Sequence, residues 1–289
     1  DQVNLQAANV NITTTGTGAL TFTSLVDGRF DLALTTAGTT TFAGNVGSAA
    51  SIGDGTGAAI TINSAGATNV NGTLETFSGI ASVNGAGAIT FTENVTIAAG
   101  DTATTLINAV TNLSGLTFQS AGNVTFGNAA GADQVNLQAA NVNITTTGTG
   151  TLRFTSLVDG GQNLTLTTAG ATNFDGSVGS ATAINSFDFT GPALTLSGAN
   201  NNVATTMEVT NAGSFTTGDA ANLTVGNEFV QNGIGDSVIG DDLTSTNDGF
   251  AFATNVVIDT TDAIVITTGL GTGDDLVITG TTFGTNDNL

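Results

Sequence analysis

Along the whole chain, apolar residues alternate one for one with Thr, Asn, Ser or Asp in short runs, as in Leu20-Thr21-Phe22-Thr23, Ile89-Thr90-Phe91-Thr92 and Leu194-Thr195-Leu196. Period-two alternation over about four to six residues predicts short strands with one buried and one wet face. The i, i+3, i+4 spacing of an amphipathic helix is absent, and the helix formers Lys, Arg, Glu and Gln are scarce. The strands recur inside a larger unit, apolar-x-apolar-x-x-Ala-Gly-x-x-x-apolar-x-x-x-apolar. It is read at Leu32, Leu34, Gly38, Phe42 and Val46, again at Ile60, Ile62, Gly66, Val70 and Leu74, and again at Leu164, Leu166, Gly170, Phe174 and Val178. Partial copies lie around Gly87, Gly122 and Gly213. The implied step of roughly 20 to 28 residues is the length of one solenoid turn. Each Ala-Gly is expected to be a tight corner, where glycine accepts left-handed backbone angles.

A longer period overlies this one. Residues Asp1 to Gly18 recur unchanged as Asp133 to Gly150, and the similarity runs on to Ile52 and Ile184 with 40 of 52 positions identical. A unit of that size must contain several of the smaller ones. The expectation is therefore an all-β chain, a right-handed parallel β-solenoid (β-helix) of roughly 13 turns at about 22 residues each, continuous over residues 1–289. Such a fold has a narrow interior. The 16 Phe residues are expected to fill it in stacked series such as Phe22, Phe42 and Phe91, the alternative being an exposed aromatic strip.

Composition narrows the function classes. Only 39% of the chain is hydrophobic and all aromatic residues are Phe, which suits a thin core. The formal charge is −21, with Arg29 and Arg153 as the only bases. Phosphate binding needs clustered Lys or Arg, so nucleic acid is excluded and an anionic membrane surface disfavoured. No apolar run approaches the roughly 20 residues of a spanning helix, which argues against membrane insertion. Cys and His are absent, which removes disulfides and thiolate or imidazole metal sites. An acidic, Cys-free chain rich in Thr, Asn and Gly fits a secreted protein of the bacterial surface. The sequence opens at Asp1 at a point that is mid-repeat in the second copy, where Asn128-Ala-Ala-Gly-Ala leads into Asp133. The expectation is a piece of a longer polypeptide, or one unit of a polymer.

The segments NLTLTTAGATNFDGSVGSATAI (163–184) and DLALTTAGTTTFAGNVGSAASI (31–52) resemble the repeats of giant bacterial β-strand-repeat surface proteins, similar to filamentous-haemagglutinin-like and autotransporter-passenger adhesins. The resemblance covers most of residues 1 to 230. It implies a right-handed β-solenoid, an extracellular location at the bacterial cell surface, and a role as adhesin, stalk or filament. It carries no catalytic residue and no cofactor across.

Residues 236–289 are more acidic, with carboxylates beside glycines in expected turns between strands at Val256 to Ile258, Ile264 to Ile266 and Leu276 to Ile278. Calcium takes six to eight oxygens from such groups, which makes Asp236, Asp241, Asp242, Asp248, Asp274 and Asp275 its candidate ligands, Gly273 lying beside the last two. Plain solvated turns are the competing reading, and the chain is otherwise expected to need no cofactor. Catalysis is not expected. A lyase would have only Arg153 as a base, and Thr21 holds that place in the other copy. A glycosidase needs two carboxylates about 5 to 10 Å apart, for which Asp241 and Asp259 are one arrangement among many. Thr-x-Thr runs (Thr21/Thr23, Thr90/Thr92, Thr13 to Thr15, Thr39 to Thr41) raise ice binding, but the uneven step is expected to break their register. Neither terminus reads as a cap: Val3 and Leu5 alternate at one, and Thr282-Phe283 with residues 286–289 close the other. Open strand edges invite pairing, so the expected partner is the chain itself, end to end in a filament. The alternative is an adhesin module recognising a glycan or host protein through a strand face or an inserted loop such as Gly198 to Thr206.

Overall fold

A computed structural model describes residues 2–83, 86–98, 104–128, 133–260, 262–269 and 274–284. Asp1, residues 129–132, Gly273 and residues 286–289 lie outside them. The described residues form short parallel strands joined by bends, with no helix. They fall into two compact units, Asp1–Ser156 and Leu157–Leu289. Each unit is a β-solenoid in which every coil contributes three strands, and each strand pairs in parallel with its equivalents on adjoining coils. Together the units hold about 12 turns, close to the 13 expected.

In the first unit, one stack runs Val10–Thr13, Leu32–Thr36, Ile60–Ser64, Ile80–Ser82, Thr105–Ile107, Val124–Phe126 and Leu152–Phe154. A second runs from Leu20–Phe22 through Thr40–Phe42, Thr68–Val70, Ile89–Phe91 and Thr111–Ser114 to Val135–Gln138. The third passes from Val3–Asn4 and Val26–Asp27, through single bridges at Val46, to Leu74–Thr76, Val95–Ile97, Thr117–Ser120 and Val142–Thr146. The second unit repeats the plan, with stacks that include Leu164–Thr168 to Leu276–Ile278 and Thr172–Phe174 to Thr282–Gly284. The carboxyl-terminal strands fall at Val256–Ile258, Ile266–Thr267 and Leu276–Ile278, the middle one shifted toward the carboxyl end of its expected place.

Coil length is uneven, as the sequence suggests. Leu32 pairs with Ile60, 28 residues on, whereas Thr105 pairs with Val124, 19 residues on. The expectation that this would spoil the register is incorrect. Extra residues are confined to the corners, so alternating side chains stay aligned from coil to coil. Inward positions form columns: Ile12, Leu34, Ile62, Ser82, Ile107, Phe126 and Phe154 in one stack, and Phe22, Phe42, Val70, Phe91, Leu113 and Leu137 in another. The expected Phe22, Phe42, Phe91 series therefore exists, with Val70 interposed. Phe22 and Phe42 stack with centroids 4.7 Å apart, and Phe126 and Phe154 at 5.4 Å. Twelve of the 16 Phe residues are fully enclosed, each burial contributing about 1.5–3 kcal/mol.

The corner glycines have a different cause from the one expected. Gly38, Gly66 and Gly87 stack directly on one another, and a Cβ on Gly66 would strike the backbone of Gly38, as one on Gly87 would strike Gly66. None of the three has a positive φ. Glycine is required because the next coil passes against the corner, at the strand spacing of about 4.8 Å, and not because the turn is left-handed.

Candidate functional site

The two long repeats act as an internal control on what the fold constrains. They differ at twelve positions, counting in the first copy residues 19, 21, 29, 30, 31, 33, 39, 41, 43, 45, 50 and 51. Every one of these is exposed or half-exposed in both copies. All buried positions, from Leu32 and Leu34 to Val46 and Ile52, keep the same residue. Arg153 and its counterpart Thr21 both face outward.

Asp27 and Asp159 are acids kept in both copies and buried in both. Asp27 Oδ1 accepts the backbone N–H groups of Ala49 and Ala50 at 3.1 and 3.2 Å, and Asp159 Oδ1 accepts those of Ala181 and Thr182, both at 3.2 Å. Each carboxylate closes the turn of the following coil, beside Gly47 or Gly179 in the left-handed region. These are structural ligands of the backbone, which the sequence reading passed over. Their signal was an acid at the same place in both copies, within Val26-Asp27-Gly28 and Val158-Asp159-Gly160.

The outward faces hold ordered polar columns. Thr21, Thr41, Asn69, Thr90, Asn112 and Asn136 lie in register. Asn112 Nδ2 donates to Thr90 Oγ1 at 3.0 Å, and Asn136 Nδ2 to Asn112 Oδ1 at 2.9 Å. These side chains bond one another along the stack, and the column is mixed Thr and Asn rather than a Thr ladder.

A groove of about 490 Å³ in the first unit is lined by Arg29, Ala49, Ala50, Ser51, Gly53, Asp54 and Phe77. Its wall is the loop Gly53-Asp54-Gly55-Thr56-Gly57, whose three glycines all take positive φ, from 77° to 117°. Asp54 Oδ1 accepts the Thr56 N–H at 2.8 Å, which fixes the turn. Asn9 Nδ2 reaches both Asp31 Oδ2, at 2.9 Å, and Asp54 Oδ2, at 3.4 Å. Burial raises the Asp31 carboxyl above the ordinary range, against the bond it accepts from the Asp54 N–H and reinforced by the Asp54 charge. The Thr56 N–H lowers that of Asp54. Phe77 stands half-exposed beside Gly55. The second copy has Gly161 and Asn163 for Arg29 and Asp31, and passes from Ile184 to Phe187 without this loop. That insertion, between Ile52 and Ile60, was visible in the sequence and was not singled out.

The loop that was singled out, Gly198 to Thr206, is not an insertion. Asn200–Val203 is a strand of the second unit, paired with Asn222–Val225. Asn201 is buried, and its Nδ2 donates to the carbonyls of Gly198 and Asn222 at 2.7 and 3.2 Å. An Asn run reads as loop by composition, yet an amide can satisfy the backbone of its own coil and of the next. Elsewhere in this unit a recess of about 460 Å³ lies between Thr190, Pro192, Ala212, Asn232 and the exposed Ile234. The buried Gln231 fixes its rim, with the two hydrogens of Nε2 shared among Asn211 Oδ1 at 2.7 Å and the Gly233 and Gly235 carbonyls at 3.0 Å.

The six candidate calcium ligands are divided among four turns, Asp236, Asp241 with Asp242, Asp248, and Asp274 with Asp275. Asp236 precedes the strand Ser237–Ile239, and its Oδ1 accepts Asn255 Nδ2 at 3.0 Å. Asp241 and Asp242 follow that strand, with Asp242 Oδ1 accepting the Val265 N–H at 2.7 Å. Asp248 and Asp274 precede paired strands on consecutive coils, where Phe250 aligns with Leu276, and Asp275 follows Asp274. Asp274 Oδ2 is enclosed without a partner. Among the described residues no three acidic groups are grouped as metal ligands. Asp241 and Asp259 also follow paired strands on consecutive coils, aligned at Ile239 and Ile258. Among the described residues no helix is long and apolar enough to cross a membrane. No protein-family model, curated protein or solved structure matches the chain.

Proposed function

We propose that the chain is a structural protein of the bacterial cell surface, secreted and wound right-handed, which forms an extended fibre or stalk by stacking β-solenoid coils. The observation that carries this reading is the pattern of change between the long repeats: all twelve differences face outward and no buried residue varies. Every buried position keeps its residue, so the capacity of one coil to seat the next is retained, while outward positions are kept in residues 1–18 and vary after them. The resemblance of residues 31–52 and 163–184 to β-strand-repeat adhesins supports the same class, and the reading includes no catalytic step and no nucleic-acid partner. Negative-stain electron microscopy of the purified chain, with calcium and with a chelator, tests it. Uniform filaments are the expected outcome, and dispersed particles at every concentration would reject self-assembly. Filaments that dissolve in chelator would place calcium at the acidic corners around Asp248 and Asp274.

A second reading, an adhesive module for a glycan or host protein, is favoured by one feature, the groove of Arg29, Asp54 and Phe77 that only the first copy possesses. An aromatic face beside charged groups is a common sugar- or peptide-binding arrangement. Binding to a glycan or extracellular-matrix array that is lost in Phe77→Ala and retained in Ser197→Ala would establish it.

A further inference from the structure

At the groove of Arg29 and Phe77 the two long repeats differ in a whole set of side chains at once. Gly161 replaces Arg29 and Ala183 replaces Ser51. Ile52 pairs with Thr76 and Ile184 with Val203, so Ala204 holds the place of Phe77. The backbone there is the same, since the Phe77 N–H donates to the Ile52 carbonyl as the Ala204 N–H donates to that of Ile184. The loop that carries Asp54 has no counterpart. The second unit closes equivalent coils without the guanidinium, hydroxyl and ring at these three places. Folding therefore does not account for them.

All three groups are also unspent in the first unit. Among the described residues Arg29 has no hydrogen-bond or ion-pair partner, although the chain holds 23 acids and only two bases. The Ser51 hydroxyl has no partner either, and Phe77 is 50% exposed with no aromatic neighbour. A Cβ on Gly55 would strike the Phe77 ring, so glycine there leaves the ring its place. The backbone donors, by contrast, are committed. Those of Ala49 and Ala50 bond Asp27, that of Asp54 bonds Asp31, and those of Gly53 and Phe77 bond the carbonyls of Phe30 and Ile52. An extended peptide that binds by main-chain pairing needs a free sheet edge, and these donors offer none.

The unspent side chains suit a polyol. Arg29 supplies fixed N–H donors, Asp54 further acceptor lone pairs, and Ser51 either role, beside an apolar ring. A pyranose presents the complement: one face of C–H groups, and vicinal hydroxyls that both donate and accept. Charge decides which kind. The carboxyls of Asp27, Asp31 and Asp54 stand around the single Arg29, the Thr56 N–H lowers that of Asp54, and the molecule carries −21. A carboxylated or sulfated sugar would meet net repulsion. We propose that the groove binds a neutral pyranose residue, with its C–H face on Phe77 and its hydroxyls bonded to Arg29, Ser51 and Asp54. The proposal rests on the adhesive reading above and narrows its ligand to uncharged saccharides.

The test is the full chain on an array of neutral, sialylated, uronic-acid and sulfated glycans, with immobilised extracellular-matrix proteins alongside. Binding is expected to neutral glycans. Arg29→Gly and Phe77→Ala install the residues that the second unit carries at these places, so thermal melts should match the parent. Glycan affinity should fall at least about tenfold in each, the loss expected for a hydrogen bond from a charged group or for a stacked ring. Raising NaCl from 10 to 200 mM should change affinity by less than about twofold, since no net charge is paired. Preference for acidic glycans, or neutral binding that survives both substitutions, would overturn the proposal. If matrix proteins bind in a Phe77-dependent way and no glycan does, the sugar is wrong and the adhesive reading stands. If neither binds, both fall.

Discussion

Asp159 illustrates how few polar contacts carry a coil. One of its oxygens, Oδ1, accepts two backbone N–H groups of the turn, from Ala181 and Thr182. Ala181 and Thr182 are exposed, so removing the carboxylate leaves their N–H groups to water and loses two hydrogen bonds to a charged group, at a cost of about 1.5–3 kcal/mol. Asp159→Ala should therefore lower stability in urea denaturation by about 2 kcal/mol, and Asp159→Asn by less, since the amide keeps an acceptor oxygen. Glycine gives a complementary comparison. A methyl group on Gly66 meets the backbone of Gly38, whereas one on Gly16 meets nothing within 4 Å. Gly66→Ala must push coils apart and should cost about 1–3 kcal/mol. Gly16→Ala should be neutral or slightly stabilising, and equal effects in parallel thermal melts would refute the stacking explanation.

At the scale of elements, the repeated strands provide a test in which local sequence is held constant. Ile12 and Ile144 lie in identical surroundings along the chain, but Ile144 is enclosed between coils and Ile12 is half-exposed. Ile144→Ala should cost about 2–5 kcal/mol, with Ile12→Ala well below that in the monomer. Outward ladders carry electrostatics instead. Asp188 and Glu208 are aligned on adjacent strands, and partial burial first, then the Glu208 charge, raises the Asp188 carboxyl. A pKa higher in the folded than in the unfolded chain means that the folded state binds more protons between the two values, so stability rises as pH falls through that window. Asp188→Asn should stabilise the protein at neutral pH by about 0.3 kcal/mol, the contribution being small because solvent screens an exposed pair. The gain should vanish once the pH is below the carboxylate range, and a gain that persists there would rule out charge repulsion as its source.

Over the whole molecule, a charge of −21 with two bases opposes both compaction and sideways association. Screening reaches about 10 Å at 0.1 M salt. Raising NaCl from 10 to 200 mM should therefore raise the thermal midpoint, an effect that a balanced surface would lack. The sequence pI is about 4.1, and near that pH the repulsion disappears. Lateral bundling should then appear as a rise in light scattering that reverses on return to pH 7. Irreversible scattering with loss of the β signal would indicate unfolding instead.

Strand identity, coil length and the apolar columns were set by the sequence alone, because period-two alternation and recurring Ala-Gly corners are local properties repeated many times. Leu32, Leu34 and Phe42 face inward by the same parity that places Thr35 and Thr41 outward. Tertiary structure decided which face each strand occupies. Val10–Thr13 stands in the stack of Leu32–Thr36, while the identical segment at Val142 stands in that of Thr117–Ser120. The reason is that each coil holds three stack positions, and the step from one copy to the other, counting the bridge at Val46, is seventeen positions, which is not a multiple of three. The groove at Arg29 and Phe77 was likewise hidden, since it joins residues 48 positions apart that only coil stacking brings together. Asn201 and the corner glycines were misread for one physical reason: their constraint comes from the neighbouring coil, which no window along the chain contains.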